Sequence, residues 1–210
     1  MYTPAHFTAS PETVQHLLDR PGAANLVTMT PQGLLATLLP VVYDPDVGER
    51  GALQGHVARN NMQWSEPAAA ESLAIIQGAD AYVSPSWYAS KAEHGRVVPT
   101  WNYTTAHVYG RLVVHDDPEW ISRQVRRLTG VHEAGFDQPW SVDDAPERFI
   151  TGQLRAIVGV ELVITRIEAK AKLSQNRPDA DIDGVVAGLT ARGQTGIAAE
   201  VEQARGTART

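Results

Sequence analysis

"ANLVTMTPQGLLATLLPVVYDPDVGERGALQGHVA", residues 24–58, decides how this chain folds. Three apolar runs, "ANLVTMT", "LLATLLPVVYD" and "ALQGHVA", are separated by Pro31-Gln32-Gly33 and by the Pro- and Gly-rich "PDVGERG". Each run is short for a helix and carries Val, Leu and Thr, and each gap holds residues that reverse a chain, so the pattern predicts an antiparallel β meander. Working outward, "LAIIQG" and "AYVSPS" read as two strand pieces around Gly78 and Asp80, and "TTAHVYGRLVVHD" as a further strand. In "IVGVELVITRIEAKAKL", Val158, Val160, Leu162 and Ile164 alternate only partly with polar residues, as in a long strand covered on both faces at one end.

Helical punctuation surrounds these runs. Ser10, Pro11 and Glu12 form an N-cap, a first-position proline and an acidic first turn, and Pro21-Gly22 ends that helix. "NNMQWSEPAAAES" reads as a short helix or irregular connection. Asp117 and Pro118 start a helix with Ile121, Val125 and Leu128 on one stripe, and Asp144 to Pro146 open another with Phe149, Ile150 and Leu154 expected inward. "DIDGVVAGLTARG" and "TGIAAEVEQARG" predict two short helices around Gly193, followed by a frayed end. The whole is an α+β chain of about six or seven strands with flanking helices, in which a β-barrel or curled sheet is favoured over a doubly wound parallel sheet.

Composition narrows the function. The chain has 210 residues, 43% of them hydrophobic, enough for a real core. A net charge of -6 argues against broad attraction to nucleic acid or anionic membranes. With no cysteine there is no disulfide, thiolate nucleophile or Cys-ligated metal, which fits a cytoplasmic protein. "MYTPAHFTAS" lacks the basic and apolar regions of a signal peptide, and "AIVGVELVIT" is too short to span a bilayer and is broken by Glu161. G-x-G-x-x-G, phosphate-loop, H-E-x-x-H and G-x-S-x-G patterns are absent, so no metal site is expected. Arg123, Arg126 and Arg127 share one helix face, read as its solvated side rather than a DNA-binding element.

Four stretches carry more chemistry than a fold requires. "GHVARNNMQW" gathers His56, Arg59 and Asn60 where a strand ends; the others are "SPSWY" at 84–88, "KAEHGRVVPTWNY" at 91–103 and "KLSQNR" at 172–177. Tyr82, Trp87, Tyr88, Trp101, Tyr103 and Tyr109 crowd into 82–109, where even scatter of 5 Trp, 6 Tyr and 3 Phe would place about two. Aromatic side chains stack on a flat ring, and Lys, Arg and hydroxyl groups hold a phosphate. Flavin mononucleotide (FMN) combines both parts. The alternative is that these aromatics plug a barrel end or a dimer interface while the charges solvate the loop.

Together these stretches, with "MYTPAHF", "GLLATLLP", "QGADAYVSPSWY", "VHDD", "AIVGVELVITRIEAKAKLSQNR" and "DGVVAGL", closely resemble the PaiB family of FMN-binding negative transcriptional regulators. The resemblance implies a split antiparallel β-barrel of the kind found in pyridoxamine-phosphate oxidases and flavin reductases. It also implies a homodimer and FMN lying between subunits. It spans nearly the whole chain and fades past about residue 190, giving a split-barrel domain over 1–190 and a helical tail over 191–210. A bulkier residue than Ala171 is expected before the "KLSQNR" motif.

On this reading Arg59, Lys91, Arg96, Lys172 and Arg177 face anionic groups, and Ser84, Ser86, Thr100 and Ser174 supply hydroxyls. Trp87, Tyr88 and Trp101 flank the ring, and Asn102, Gln175 and Asn176 read its pyrimidine edge. The function is regulation through bound flavin rather than direct DNA contact. One alternative is an FMN-dependent oxidoreductase acting on a small molecule, with His94 and His107 as proton carriers. Another is a haem-binding or haem-degrading barrel with His56 or His94 as axial ligand.

Overall fold

The computed structural model describes residues 1–20, 22–66 and 70–205. Its elements are α1 (Pro11–Asp19), β1 (Gly22–Thr30), β2 (Gly33–Asp44), β3 (Ala52–Ala58), α2 (Met62–Ser65), β4 (Ser72–Val83), α3 (Ser90–His94) and β5 (Thr100–His115). There follow α4 (Pro118–Glu133), α5 (Glu147–Arg155), β6 (Ile157–Lys172), α6 (Asp179–Ala191) and α7 (Thr195–Gln203). The six strands form one antiparallel sheet in the order β1-β2-β3-β6-β5-β4, which closes in a ring, since β1 also pairs with β4. Pro21, expected to help stop α1, residues 67–69 of the connection after α2, and residues 206–210, expected to fray, lie outside the described residues.

The quoted meander forms as its punctuation predicts. Thr30 pairs with Gly33 across the two-residue turn Pro31-Gln32, the Thr30 hydroxyl donates to the Gly33 carbonyl at 3.0 Å, and Gly33 takes φ 116°. Gly51, at φ 80°, admits the Tyr43 ring to 2.4 Å from where a Cβ would stand. Two expectations are corrected. The pieces around Gly78 and Asp80 are one continuous strand, β4: a Cβ at Gly78 would meet the Thr104 hydroxyl at 2.0 Å, so the glycine permits a close approach rather than breaking the strand. Helix α5 buries none of its residues, and Phe149, expected inward, is 57% exposed.

The chain divides into two compact units, with β4, β5 and β6 each contributing to both. Unit 2 comprises Leu18–Ile76 and His107–Ile167. Its core includes Leu26, Leu39, Val57 and Val160. Residues Val158 to Leu162 are buried without alternation, so this end of β6 is covered on both faces, as expected. Trp120 of α4 lies over Gly159, where a Cβ would come within 2.3 Å of the indole, and stacks on His115 at 4.0 Å. Beside it a polar chain satisfies buried groups: Gln54 donates to Asp44 at 3.1 Å and to Glu161 at 2.9 Å, and His115 pairs with Glu161 at 3.2 Å.

Unit 1 comprises Met1–Leu17, Gln77–Ala106 and Glu168–Thr210. Its core joins Val83 and Leu173 to Ile182, Val185 and Leu189 of α6 and Val201 of α7. Ala171, where the resemblance implies a bulkier side chain, is buried in this core, so its small volume is matched by the helices packed against it.

Candidate functional site

Unit 1 holds most of the residues singled out in the sequence. The Ser84 hydroxyl accepts from the Ser86 N–H at 3.2 Å and caps the 3-10 turn Pro85–Trp87. Trp87 packs on α6. A Cβ at Gly188 would stand 2.3 Å from the indole, and one at Gly184 would stand 1.8 Å from the Trp87 carbonyl oxygen. Tyr88 is buried in the core with the Arg177 guanidinium 4.5 Å from its ring centre. Burial raises the Tyr88 pKa, and the Arg177 charge offsets part of that rise. Trp87 and Tyr88 therefore serve packing, and Trp101 is the one of the three aromatics expected beside a ring that stays exposed.

Trp101 stands at the start of β5, 47% exposed, with its indole N–H donating to Asp80 at 2.7 Å. Tyr82, also 47% exposed, meets it edge to face at 6.1 Å. The two rings are held apart from the core by strand alternation: Tyr82 lies between buried Ala81 and Val83, and Trp101 precedes buried Asn102. Lys172 anchors the other end of this region. Its ammonium donates to the Thr100 hydroxyl and, at 2.7 Å, to the Trp101 carbonyl. Partial burial, then the charges of Lys170 and Arg177, hold its pKa below the ordinary lysine range. Among the described residues no carboxylate hydrogen-bonds or ion-pairs with Lys172.

The "KLSQNR" turn is held by its own polar side chains and by Asn102 of β5. Asn102, fully buried, donates to the Ser174 hydroxyl at 2.9 Å, and that hydroxyl is 3.2 Å from the Asn102 carbonyl oxygen. Ser174 is the non-glycine residue at positive φ, 67°, among the described residues, and its buried hydrogen bonds to Asn102 hold it there. Gln175 accepts from the Leu173 N–H and donates to the Ala171 carbonyl, both at 2.7 Å. Asn176 is exposed. Lys91 is exposed with its ammonium 3.5 Å from the Ser86 hydroxyl, His94 accepts from the Arg96 N–H at 3.0 Å, and Arg96 is exposed.

The other predicted residues belong to unit 2. Arg59 spends its guanidinium on the Arg155 carbonyl at 2.7 Å, the Ile157 carbonyl at 3.1 Å and both oxygens of Asp116. Hydrogen bonding between them lowers the Asp116 pKa and raises that of Arg59. His56 pairs through Nδ1 with Gln124 of α4 at 2.9 Å, and Asn60 is exposed. His107 meets Tyr109 edge to face at 6.5 Å.

The sequence pattern counts Tyr82 among the crowded aromatics and Asp80 at a strand division without giving either a place in the site, and it passes over Lys170 and Asp181; all four touch or crowd the residues above. A signal was present for the seat of Trp87: Gly184 and Gly188, four apart on a helix, present one small face on which a large side chain from elsewhere can rest.

Residues 1–166 match the model of a family described as "Putative FMN-binding domain". Protease synthase and sporulation protein PAI 2 of Bacillus subtilis is 30% identical over 188 residues, covering 89% of this chain and 87% of its own. Among solved structures, the flavocytochrome Anf3 of Azotobacter vinelandii superposes with a TM-score of 0.53 at 14% identity, over 77% of this chain and 67% of that one. An FAD and haem binding protein from Mycobacterium smegmatis gives 0.50 at 17% identity, over 85% and 78%. These two likenesses concern the fold.

Proposed function

This chain belongs to the FMN-binding domain family, and from that premise we propose that unit 1 holds FMN and that the protein is a PaiB-type regulator acting through the bound flavin. The observation that carries the reading is the pairing of two donor chemistries in one unit. Tyr82 and Trp101 leave half their surface open, and Lys172 shares its surroundings with Lys170 and Arg177 and has no carboxylate partner among the described residues.

The residues fit the group. An ammonium crowded by two further cations is relieved by an anion, and charge-assisted hydrogen bonds suit phosphate oxygens. Lys172, Lys170 and Arg177 would hold the phosphate, and Trp101 with Tyr82 would hold the ring, stacking contributing roughly 0.5–1.5 kcal/mol per aromatic pair beyond area burial. The Asp80 hydrogen bond fixes the indole plane, so less freedom is lost on binding. FMN, when bound, supplies electron-transfer chemistry that none of the twenty side chains can. A titration followed by flavin fluorescence tests this. Trp101→Ala is expected to weaken FMN and riboflavin alike by about tenfold, the size of one lost stacking contact; unchanged affinity for both would overturn the placement of the ring.

Two further parts of the reading have separate support. Direct repression through DNA is disfavoured by the net charge and by the fate of the basic helix face. Arg126 pairs with Asp143 at 2.7 Å and Arg127 with Asp44 at 2.7 Å, leaving Arg123 exposed. Promoter DNA bound with a steep inverse dependence on salt would contradict it. A homodimer is supported by the β1–β2 hairpin. Leu34 and Leu38 are 68% and 66% exposed on one face of β2, and Met29, register partner of Leu34, is also exposed. An apolar strand face of this kind is a surface that proteins ordinarily cover. Leu38→Asp is therefore expected to shift the sedimenting species from dimer to monomer at micromolar concentration; a wild-type monomer would refute the dimer.

A further inference from the structure

Helix α3 lacks the cap its own sequence would normally supply. Its N-cap residue, Ala89, has no side chain to accept a hydrogen bond. Asp181, in the first turn of α6, takes that place: one carboxylate oxygen accepts from the Ser90 N–H at 2.9 Å and the other from the Ser90 hydroxyl at 2.8 Å. The carboxylate is 1% exposed, and charged groups are rarely buried so fully without a purpose. One turn and two turns further along α6, Gly184 and Gly188 seat the Trp87 carbonyl and indole. Tyr88, between these anchor points, is covered by Arg177. The chain is thus fastened to α6 at Trp87 and at Ser90, and the segment that leads into α6 carries Arg177 and Lys172.

We propose that Asp181 is a positioning residue for the phosphate end of the flavin site, holding Trp87–Ser90 against α6 so that Arg177, which lies on Tyr88, stands ready beside Lys172 for an anion. This rests on the flavin reading above. The carboxylate does not touch the ligand; it fixes Ser90, which fixes Tyr88, on which the Arg177 guanidinium lies. Preorganised cations bind an anion without the cost of ordering them on arrival.

Such a role separates from a merely structural one because it acts on one end of the ligand. In Asp181→Ala, FMN affinity is expected to fall about tenfold while riboflavin, which lacks the phosphate, binds as before. Amide exchange of the ligand-free protein should quicken over Tyr88–His94 and stay unchanged in β1 to β3. Asp181→Asn, which keeps an acceptor for the Ser90 N–H, should recover most of the lost affinity. Ser90→Ala, which removes the hydroxyl arm alone, should show the same FMN-selective loss at smaller size and serves if Asp181→Ala does not fold. Equal losses for FMN and riboflavin, or no loss for either, would overturn the proposal. Wild-type protein that binds no FMN refutes the flavin reading and this proposal with it, whereas wild-type binding without the FMN-selective loss refutes the clamp alone.

Discussion

Lys172→Met is expected to weaken FMN by roughly 10- to 100-fold, as loss of a charge-assisted contact to phosphate does, and to leave riboflavin within about twofold. Methionine keeps most of the apolar stem and removes the ammonium that donates to the Thr100 hydroxyl and the Trp101 carbonyl. The same lysine sets a pH dependence. Burial, Lys170 and Arg177 lower its pKa, so the ammonium is lost as pH rises through a value below the ordinary lysine range. FMN affinity should be full at neutral pH, where the phosphate is close to dianionic, and should fall on the alkaline side earlier than an exposed lysine would allow. Riboflavin affinity should stay flat over that interval. For the ligand-free protein the linkage runs the other way. The folded state binds this proton less tightly than the unfolded one, so its penalty is full below the folded pKa and stability rises with pH through the window between the two values. FMN titrations at stepped pH, paired with thermal melts of the ligand-free protein, read both effects.

Gly184→Ala is expected to destabilise the protein by roughly 3 kcal/mol, at the upper end of overpacking costs, and to lower its melting temperature by about 10 °C. Helix propensity alone predicts the opposite sign, since alanine in a helix interior is favoured over glycine by about 1 kcal/mol. The steric term decides the outcome: the new Cβ would stand 1.8 Å from the Trp87 carbonyl oxygen, and a backbone atom cannot swing aside as a side chain end can. Gly130→Ala in α4, with nothing within 4 Å of the added carbon, is the control and should stabilise by roughly 0.5–1 kcal/mol. Melts of the two variants that move in the same direction would contradict the seat described for Trp87.

The parts of the fold that were legible are those written in local chemistry. Pro31-Gln32-Gly33 fixes a hairpin register, Asp117 caps α4 through N–H groups of Glu119 and Trp120, and Gly193 at φ 74° separates α6 from α7. What stayed hidden depends on partners far along the chain. Gly78 looks like a strand break until Thr104 is seen against it, and of the face assigned to α5 Ile150 and Leu154 are half-buried while Phe149 is exposed. The site follows the same division. The crowding of aromatic and basic residues was visible and marks the right unit, but their roles diverge there. Trp87 and Tyr88 are drawn inward by glycines and apolar residues of α6 about a hundred positions away, whereas Trp101 stays exposed with Tyr82 beside it. Asn102, Ser174 and Gln175 have polar side chains suited to a ligand edge, yet each is hydrogen-bonded within the turn that carries Lys172. Arg59 likewise resembles a phosphate ligand in sequence and is tied to Asp116 and two carbonyls.

The most direct measurement compares FMN with riboflavin on the unmodified protein at low and at high salt, followed by flavin fluorescence. If exposed rings and the cations around Lys172 form one cradle, FMN binds saturably and at least about tenfold more tightly than riboflavin, and the gap narrows as salt screens the phosphate. Saturable binding with equal affinities at both salt concentrations, or no binding of FMN, would contradict it.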